Sequence, residues 1–320
     1  MDYKTKKIKN QELQQKIKNK ISEKMFQRLV YCGNFLEFYA DEKKEIKKLV
    51  KANNCDNRFC PMCAYKKARK EALKISILLK VLENKYKFLF LTLTAPNVSG
   101  STLNIEIKHF NESFKRMTKL KPFENAVIGY IRKLEVTYNH DLKNYHPHFH
   151  VLLAVKKSYF SNNYISQAKW LEMWRSAKRD NSITQVDIRK LDLSKDDKGI
   201  LEIAKYSAKD SDYLKSQKIF DVIYSALKGK KLVTYNGIFK EIVKEYKRGK
   251  LDYLKEIDMT EYVYRILYQW GQGDYVEREI RELTEDERIR FNKQQIDDMN
   301  IDRLKELKLQ GYKLISSMGI

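Results

Sequence analysis

With 320 residues and 42% hydrophobic side chains, the chain can hold two domains, or one with substantial extensions, around a sizeable core. It carries 64 Lys and Arg against 42 Asp and Glu, a net charge of +22, which suits a polyanionic partner, nucleic acid first, over the blander reading of solvated lysine-rich faces. No apolar run approaches the ~18–20 residues of a membrane span, and the opening "MDYKTKKIKNQELQQKIKNK" lacks a secretory signal's apolar stretch, so membrane-spanning and secreted classes are excluded and a soluble cytoplasmic protein is expected.

Residues 1–25 read as a basic, Lys/Gln-rich leader, helical or frayed, and 26–75 as a Cys-rich element. Within and after it, "YKKARKEALKISILLKVLEN" has the apolar period of a helix. The β-prone "YKFLFLTLTAPN" is closed by Pro96 and Asn97, and "IEIKHFNESFKRMTKL" reads as an amphipathic helix. Two strands follow, "AVIGYIRKLEVTY" and "HFHVLLAV", joined as a hairpin through "NHDLKNYHP". Next come a helix "SQAKWLEMWRSAKR", a short strand "QVDIRKL", and helical patterns in "GILEIAKYSAKDSDYL" and "SQKIFDVIYSALKG". This order predicts an α+β fold with an antiparallel sheet over residues 76–240. Residues 241–320 read as a charged helical extension with a break at "GQG", and from Glu277 onward ten acids balance nine bases.

All four cysteines, Cys32, Cys55, Cys60 and Cys63, lie near the N-terminus, the last three in "CDNRFCPMC". A Cys-x-x-Cys knuckle with two further thiols matches a tetrathiolate Zn²⁺ site. The wide gap after Cys32 is unlike a standard finger, and four reduced thiols without metal are the competing reading. The basic flank of the knuckle could also touch phosphates.

Three of five histidines, His146, His148 and His150, fall in "YHPHFHVLL". Alternate strand residues share a face, so His148 and His150 project together with Phe149 opposed. A turn centred at residues 141–142 sets Glu135 opposite His148 and Lys133 opposite His150, with cross-strand Cβ atoms ~4.5–5.5 Å apart. Two imidazoles and a carboxylate leave coordination positions open to water and substrate oxygens, as catalytic metal sites do. His146 has the right parity, but Pro147 threatens the strand there, which leaves His146 as an extra ligand, a supporting group or a phosphate contact.

In "LEIAKYSAKDSDYL", Glu202 and Tyr206 are one helical turn apart, Tyr213 lies two turns further near the same face, and Lys205 and Lys209 form an adjacent stripe. Tyrosines on helices are commonly packing residues, and this chain has 21. A nucleophilic tyrosine would need help, because only about one phenol in a thousand is ionised at pH 7, a deficit of roughly 4 kcal/mol.

Together "FLTLTAPN", "LEVTYNHDLKNYHPHFHVLL" and "EIAKYSAKDSDYL" resemble, in order and spacing, the three motifs of the rolling-circle plasmid replication initiators of Gram-positive bacteria, in the HUH endonuclease superfamily. The cysteine segment is similar too, and the resemblance spans roughly residues 30–240. It implies an RRM-like antiparallel sheet, with 76–240 as the HUH catalytic domain, that binds the plasmid's double-strand origin and nicks one strand. His148 and His150 match the HUH pair, Glu135 its acidic partner, Tyr206 the nucleophile, and Glu202 the carboxylate that activates water at termination. Lys205 and Lys209 would contact phosphates, Mg²⁺ or Mn²⁺ would be the catalytic ion, and a host helicase and DNA polymerase would act downstream. A relaxase or transposase of the same superfamily, and a non-catalytic zinc-knuckle DNA-binding regulator, are the alternatives.

Overall fold

The computed structural model describes residues 2–193, 197–204, 208–255, 258 and 260–297, and they fold as two compact units. The first comprises Met1–Ala64 with Glu245–Ile320, and the second Tyr65–Lys244. Among the described residues no helix is long and apolar enough to cross a membrane.

The expected basic leader is largely helix α1 (Tyr3–Ile17), capped where Asp2 accepts the Thr5 N–H at 2.8 Å. It buries Lys7, Asn10, Leu13 and Ile17, a stripe at helical spacing. Helix α2 (Glu23–Val30) and strands β1 (Phe35–Ala40) and β2 (Lys47–Ala52) follow. Helix α3 (Pro61–Leu82) begins on a proline, whose missing N–H costs nothing in a first turn. It starts in the first unit and continues into the second.

The second unit adds β3 (Tyr86–Leu93), α4 (Leu103–Met117), α5 (Lys121–Ala126), β4 (Val127–Asn139), β5 (Asn144–Lys156), α6 (Tyr159–Asn162), α7 (Gln167–Lys178) and β6 (Val186–Lys190). It closes with α8 (Asp197–Ala204), α9 (Asp210–Tyr213), α10 (Gln217–Leu227), β7 (Val233–Gly237) and most of α11 (Ile238–Lys247). Its five strands pair antiparallel in the order β6-β3-β5-β4-β7, the predicted α+β class. Central β5 is buried without interruption from Val151 to Val155, as a strand covered on both faces must be. On one face, Phe110 and Phe114 of α4 meet Phe149 edge-on at centroid distances of 5.3 and 5.7 Å, and Trp174 of α7 meets Phe110 at 5.5 Å. Helix α8 packs against β4 and β5.

The continuous helix expected over "GILEIAKYSAKDSDYL" is not what forms. Helix α8 is described as far as Ala204, and Lys209 is extended (φ −74°, ψ 131°) before the separate turn α9, so Tyr213 does not continue the face of Glu202. Residues 205–207, with Lys205 and Tyr206, lie outside the described residues.

Among the described residues, which stop at Asp297, the C-terminal region departs from its helical reading in a two-stranded stretch, and residues 298–320 of that reading lie outside them. Residues 264–282 form a hairpin of β8 (Tyr264–Gly271) and β9 (Asp274–Glu282) that joins β1 and β2 in a sheet of order β2-β1-β8-β9. The "GQG" is its turn: Gln272 (φ 52°) and Gly273 (φ 79°) are both left-handed, the two-residue geometry whose twist matches paired strands. Helix α12 (Glu285–Asp297) follows.

Candidate active site

The β4–β5 hairpin has the register the sequence predicts: Glu135 pairs with His148, Lys133 with His150, and Asn139 with Asn144 around the turn. Pro147 does not break the strand. Tyr145, two residues earlier, exchanges both backbone hydrogen bonds with Val98, on the side of β5 away from β4. By alternation Pro147 turns its missing N–H to that same side, before β3 pairing begins at Phe149, so no β4–β5 hydrogen bond is lost.

Glu135, His148 and His150 therefore share one face, and their ligand atoms all lie within 4.8 Å of one another. Glu135 Oε2 stands 3.4 Å from His150 Nε2 and 3.9 Å from His148 Nε2. Bonds of ~2.1 Å to a single ion would set adjacent ligand atoms ~3.0–3.5 Å apart, so the set fits a cation after a small contraction. Each ring is held by its other nitrogen: His148 Nδ1–H donates to the His146 carbonyl at 3.2 Å, and the Thr92 hydroxyl lies 3.4 Å from His150 Nδ1. Both Nε2 atoms are left facing the carboxylate, the arrangement that outer partners give ligating histidines. The His146 ring stacks on His148 at 5.1 Å and is not among the converging ligands.

Electrostatics favour the ligating states. Burial lowers the His148 pKa to about 4, only partly opposed by Glu135, so the imidazole is neutral at pH 7. Burial alone would raise Glu135, but the His150 hydrogen bond and the charges of Lys133 and both histidines outweigh it and hold the carboxyl at about 2. Helix α8 brings the Glu202 carboxylate to 4.0 Å from His150 Nε2, with its side chain one-third exposed. Lys209 is exposed at the start of α9. Tyr213 is 4% exposed and packs on Phe220 at 6.2 Å.

Three contributors had weaker sequence signals. Thr92 lies on β3 opposite His150. Lys133, fully buried, donates to the Glu202 carbonyl at 2.8 Å and lies 3.3 Å from Glu135 Oε2. Asp212, 8% exposed, accepts the Tyr138 N–H at 3.3 Å. Only the parity of Lys133 with Glu135, two residues apart on a strand, marked any of these contacts in advance.

The four cysteines form a second cluster, in the first unit, all buried and none in a disulfide. Cys32 Sγ lies 3.6 Å from Cys60 Sγ and 3.5 Å from Cys63 Sγ, and Cys55 Sγ lies 3.6 Å from Cys63 Sγ. A Zn²⁺ tetrahedron with ~2.3 Å Zn–S bonds has edges of ~3.8 Å, whereas a disulfide needs sulfurs ~2.05 Å apart. The cluster fits the ion. Asn10 Nδ2 donates to Cys60 Sγ and the Asp56 N–H to Cys63 Sγ, each at 3.3 Å, as donors around thiolates do. Hydrogen bonds from Cys32, Cys55 and Cys60 lower the Cys63 pKa. Lys7 Nζ, 1% exposed, donates to the carbonyls of Val30 (3.1 Å) and Cys32 (2.7 Å) and to Asn34 Oδ1 (2.7 Å).

Comparison with known proteins adds a family. The family described as Replication protein matches residues 46–276. A Staphylococcus aureus "Protein rep" is 48% identical over 216 residues, 66% of this chain and 94% of the relative. A Bacillus sp "Protein rep" is 36% identical over 251 residues, covering 71% and 82%, and one from Streptococcus pneumoniae serotype 2 is 36% identical over 239 residues, covering 72% and 74%. No solved structure matches the chain.

Proposed function

This chain belongs to the replication protein family of plasmid replication initiators, and on that premise we propose that it starts replication by nicking one strand of its plasmid's double-strand origin. The observation that carries this reading is the convergence of Glu135, His148 and His150 on one sheet face with the Glu202 carboxylate beside it. Such a donor set suits Mg²⁺ or Mn²⁺, and imidazole admits Zn²⁺ as well. The bound ion would neutralise charge on the scissile phosphate and orient the displacement.

In this reading Tyr206 Oη bonds to phosphorus and the P–O3′ bond breaks. The phenol's proton passes to solvent or a nearby base, and the departing 3′ oxygen takes one up to become the 3′-OH that primes a host polymerase. The 5′-phosphate stays on the tyrosine. Glu202 later accepts a proton from water, which releases the strand by hydrolysis, or the strand transfers to the 3′-OH. Lys205 and Lys209 contact flanking phosphates, and a host helicase opens the duplex. The cysteine cluster holds a structural Zn²⁺. A non-catalytic regulator would want a closed four-ligand site, and among the described residues the converging set has three members.

The test is incubation of the full chain and Mn²⁺ with a supercoiled plasmid carrying the DNA that flanks its gene. A nicked circle with protein attached to the 5′ end is expected. A plasmid left fully closed would overturn the reading.

A further inference from the structure

The basic flank of the cysteine knuckle has no part in the nicking site. It runs into α3, which buries Ile75, Leu78, Leu79 and Leu82 along one side. On the exposed side Lys66, Arg69, Lys70, Leu73, Ser76 and Lys80 stand three or four residues from one another, so they form one stripe. All of them belong to the second unit.

The stripe holds four cations and no acid. Glu71, the acid of this helix, is half-buried off the stripe, where it pairs with Lys74 at 2.7 Å and accepts the Tyr235 hydroxyl. Other exposed helix lysines have an acid one turn away. Lys169 meets Glu172 at 2.7 Å on α7, and Lys244 meets Glu241 at 3.0 Å on α11. On α3 the cations one turn apart are Lys66, Arg69 and Lys70, and like charges at that spacing weaken a helix. A polyanion laid along them would replace that repulsion with attraction.

Length and chemistry select the polyanion. From Lys66 to Lys80 the stripe runs ~21 Å as rigid helix, at a rise of ~1.5 Å per residue. Duplex DNA carries one charge per ~1.7 Å of its axis, and its ~12 Å major groove admits a helix ~10–12 Å across. Single strands are gripped by aromatic rings set among cations, and the stripe has no aromatic residue.

We propose that the exposed face of α3 is a docking surface for duplex DNA, on which Lys66, Arg69, Lys70 and Lys80 contact phosphates. This deepens the nicking reading and rests on it only for which duplex is bound, the DNA flanking the nick.

The test measures binding of the full chain, without added Mn²⁺, to a linear duplex of the DNA that flanks its gene. Lys66→Gln, Arg69→Gln and Lys70→Gln combined remove three charges and keep good helix formers. A control combines Lys108→Gln, Lys115→Gln and Lys119→Gln, which removes the same charge from exposed positions on and just after α4. At about 0.15 M salt the α3 variant should bind the duplex at least tenfold more weakly. Its slope of log K against log salt should be shallower by about two to three. The control should stay within about threefold, because charges more than ~8 Å from the DNA are screened. Single-stranded DNA of the same sequence should bind the α3 variant within about threefold of wild type. Duplex affinity and slope unchanged in the α3 variant overturn the proposal, and so does an equal loss in the control, which would mark net charge as the cause. An equal loss for the single strand overturns the assignment to duplex. Should the combined variant fail to fold, Arg69→Gln alone replaces it, with a slope shallower by about one expected and an unchanged slope overturning the proposal. Failure of the wild type to nick would sink the nicking reading, while the binding result still decides what α3 does.

Discussion

The carboxylate of Glu202 lies 4.0 Å from His150 Nε2, joining a helix to a strand that α6, α7 and β6 separate in sequence. Glu202 is neither buried nor free in solvent, its side chain being 32% exposed, so it can reach both the Glu135–His148–His150 face and water. A base for water has that placement, whereas the nucleophilic attack does not require it. Glu202→Ala should therefore nick within about twofold of the wild-type rate yet accumulate the 5′-linked complex. Gel quantification of nicked and protein-bound DNA over time checks this, and normal release of the complex would remove the role.

The structure takes Tyr213 off the helical face that its spacing from Glu202 predicts. Tyr213 is buried against Phe220 on a turn of its own, with the extended Lys209 between it and α8. A buried phenol packed in this way is poorly placed to attack DNA. Tyr206→Phe should abolish the covalent adduct and Tyr213→Phe should retain it. Denaturing gels of a reaction with end-labelled DNA report both, and an adduct persisting in Tyr206→Phe would transfer the nucleophile's role elsewhere.

The parts of this site that were legible in sequence are those fixed by local periodicity. Two-residue alternation and one hairpin turn sufficed to align Glu135, His148 and His150, because strand register is set over a few residues. The approach of Glu202 was not legible, since it depends on how α8 packs against β4 and β5. Residues 264–282 read as helix because their charged residues mask a period-two pattern, and only paired left-handed residues at the turn disclose the hairpin. Lys7 looked like one more leader lysine; nothing local announces that its ammonium is buried among backbone carbonyls beside a cysteine cluster.

That buried lysine gives a test of the cysteine cluster that does not depend on DNA cleavage. Four thiolates around Zn²⁺ carry a net negative charge, and Lys7 supplies a cation through the Cys32 carbonyl while also capping the end of α2. The full chain should hold one zinc, and Cys63→Ser should lose it and lower the melting temperature by roughly 10 °C, as loss of about 3 kcal/mol would in a unit of this size. Lys7→Met should keep the four sulfurs but weaken zinc binding by about 10–100-fold, the usual effect of removing an outer partner. Elemental analysis and chelator competition measure these outcomes. Zinc affinity unchanged in Lys7→Met would confine that lysine to capping α2.

Acid should loosen the second unit from the Glu135–His148–His150 face outward. The His148 pKa is pushed by burial from its ordinary 6.5 to about 4. Below pH 6.5 the unfolded chain gains a proton that folded His148 refuses, so stability falls as pH falls, and this contribution is fully lost below about pH 4. The span is worth about 3 kcal/mol at most. Glu135 acts in the same direction over a lower window: its stabilising charge is present above its ordinary 4.5 and is lost as pH falls to about 2. Between pH 7 and 4.5 the slope is therefore carried by the buried histidines, His148 together with His146, whose pKa burial also lowers. Denaturant unfolding without added Mn²⁺ should show stability of the second unit dropping across that range in wild type. His148→Asn, which cannot take up the proton, should show a shallower fall. Equal slopes in the two proteins would mean that His148 is not held neutral by burial, and the neutral state is the one ligation requires.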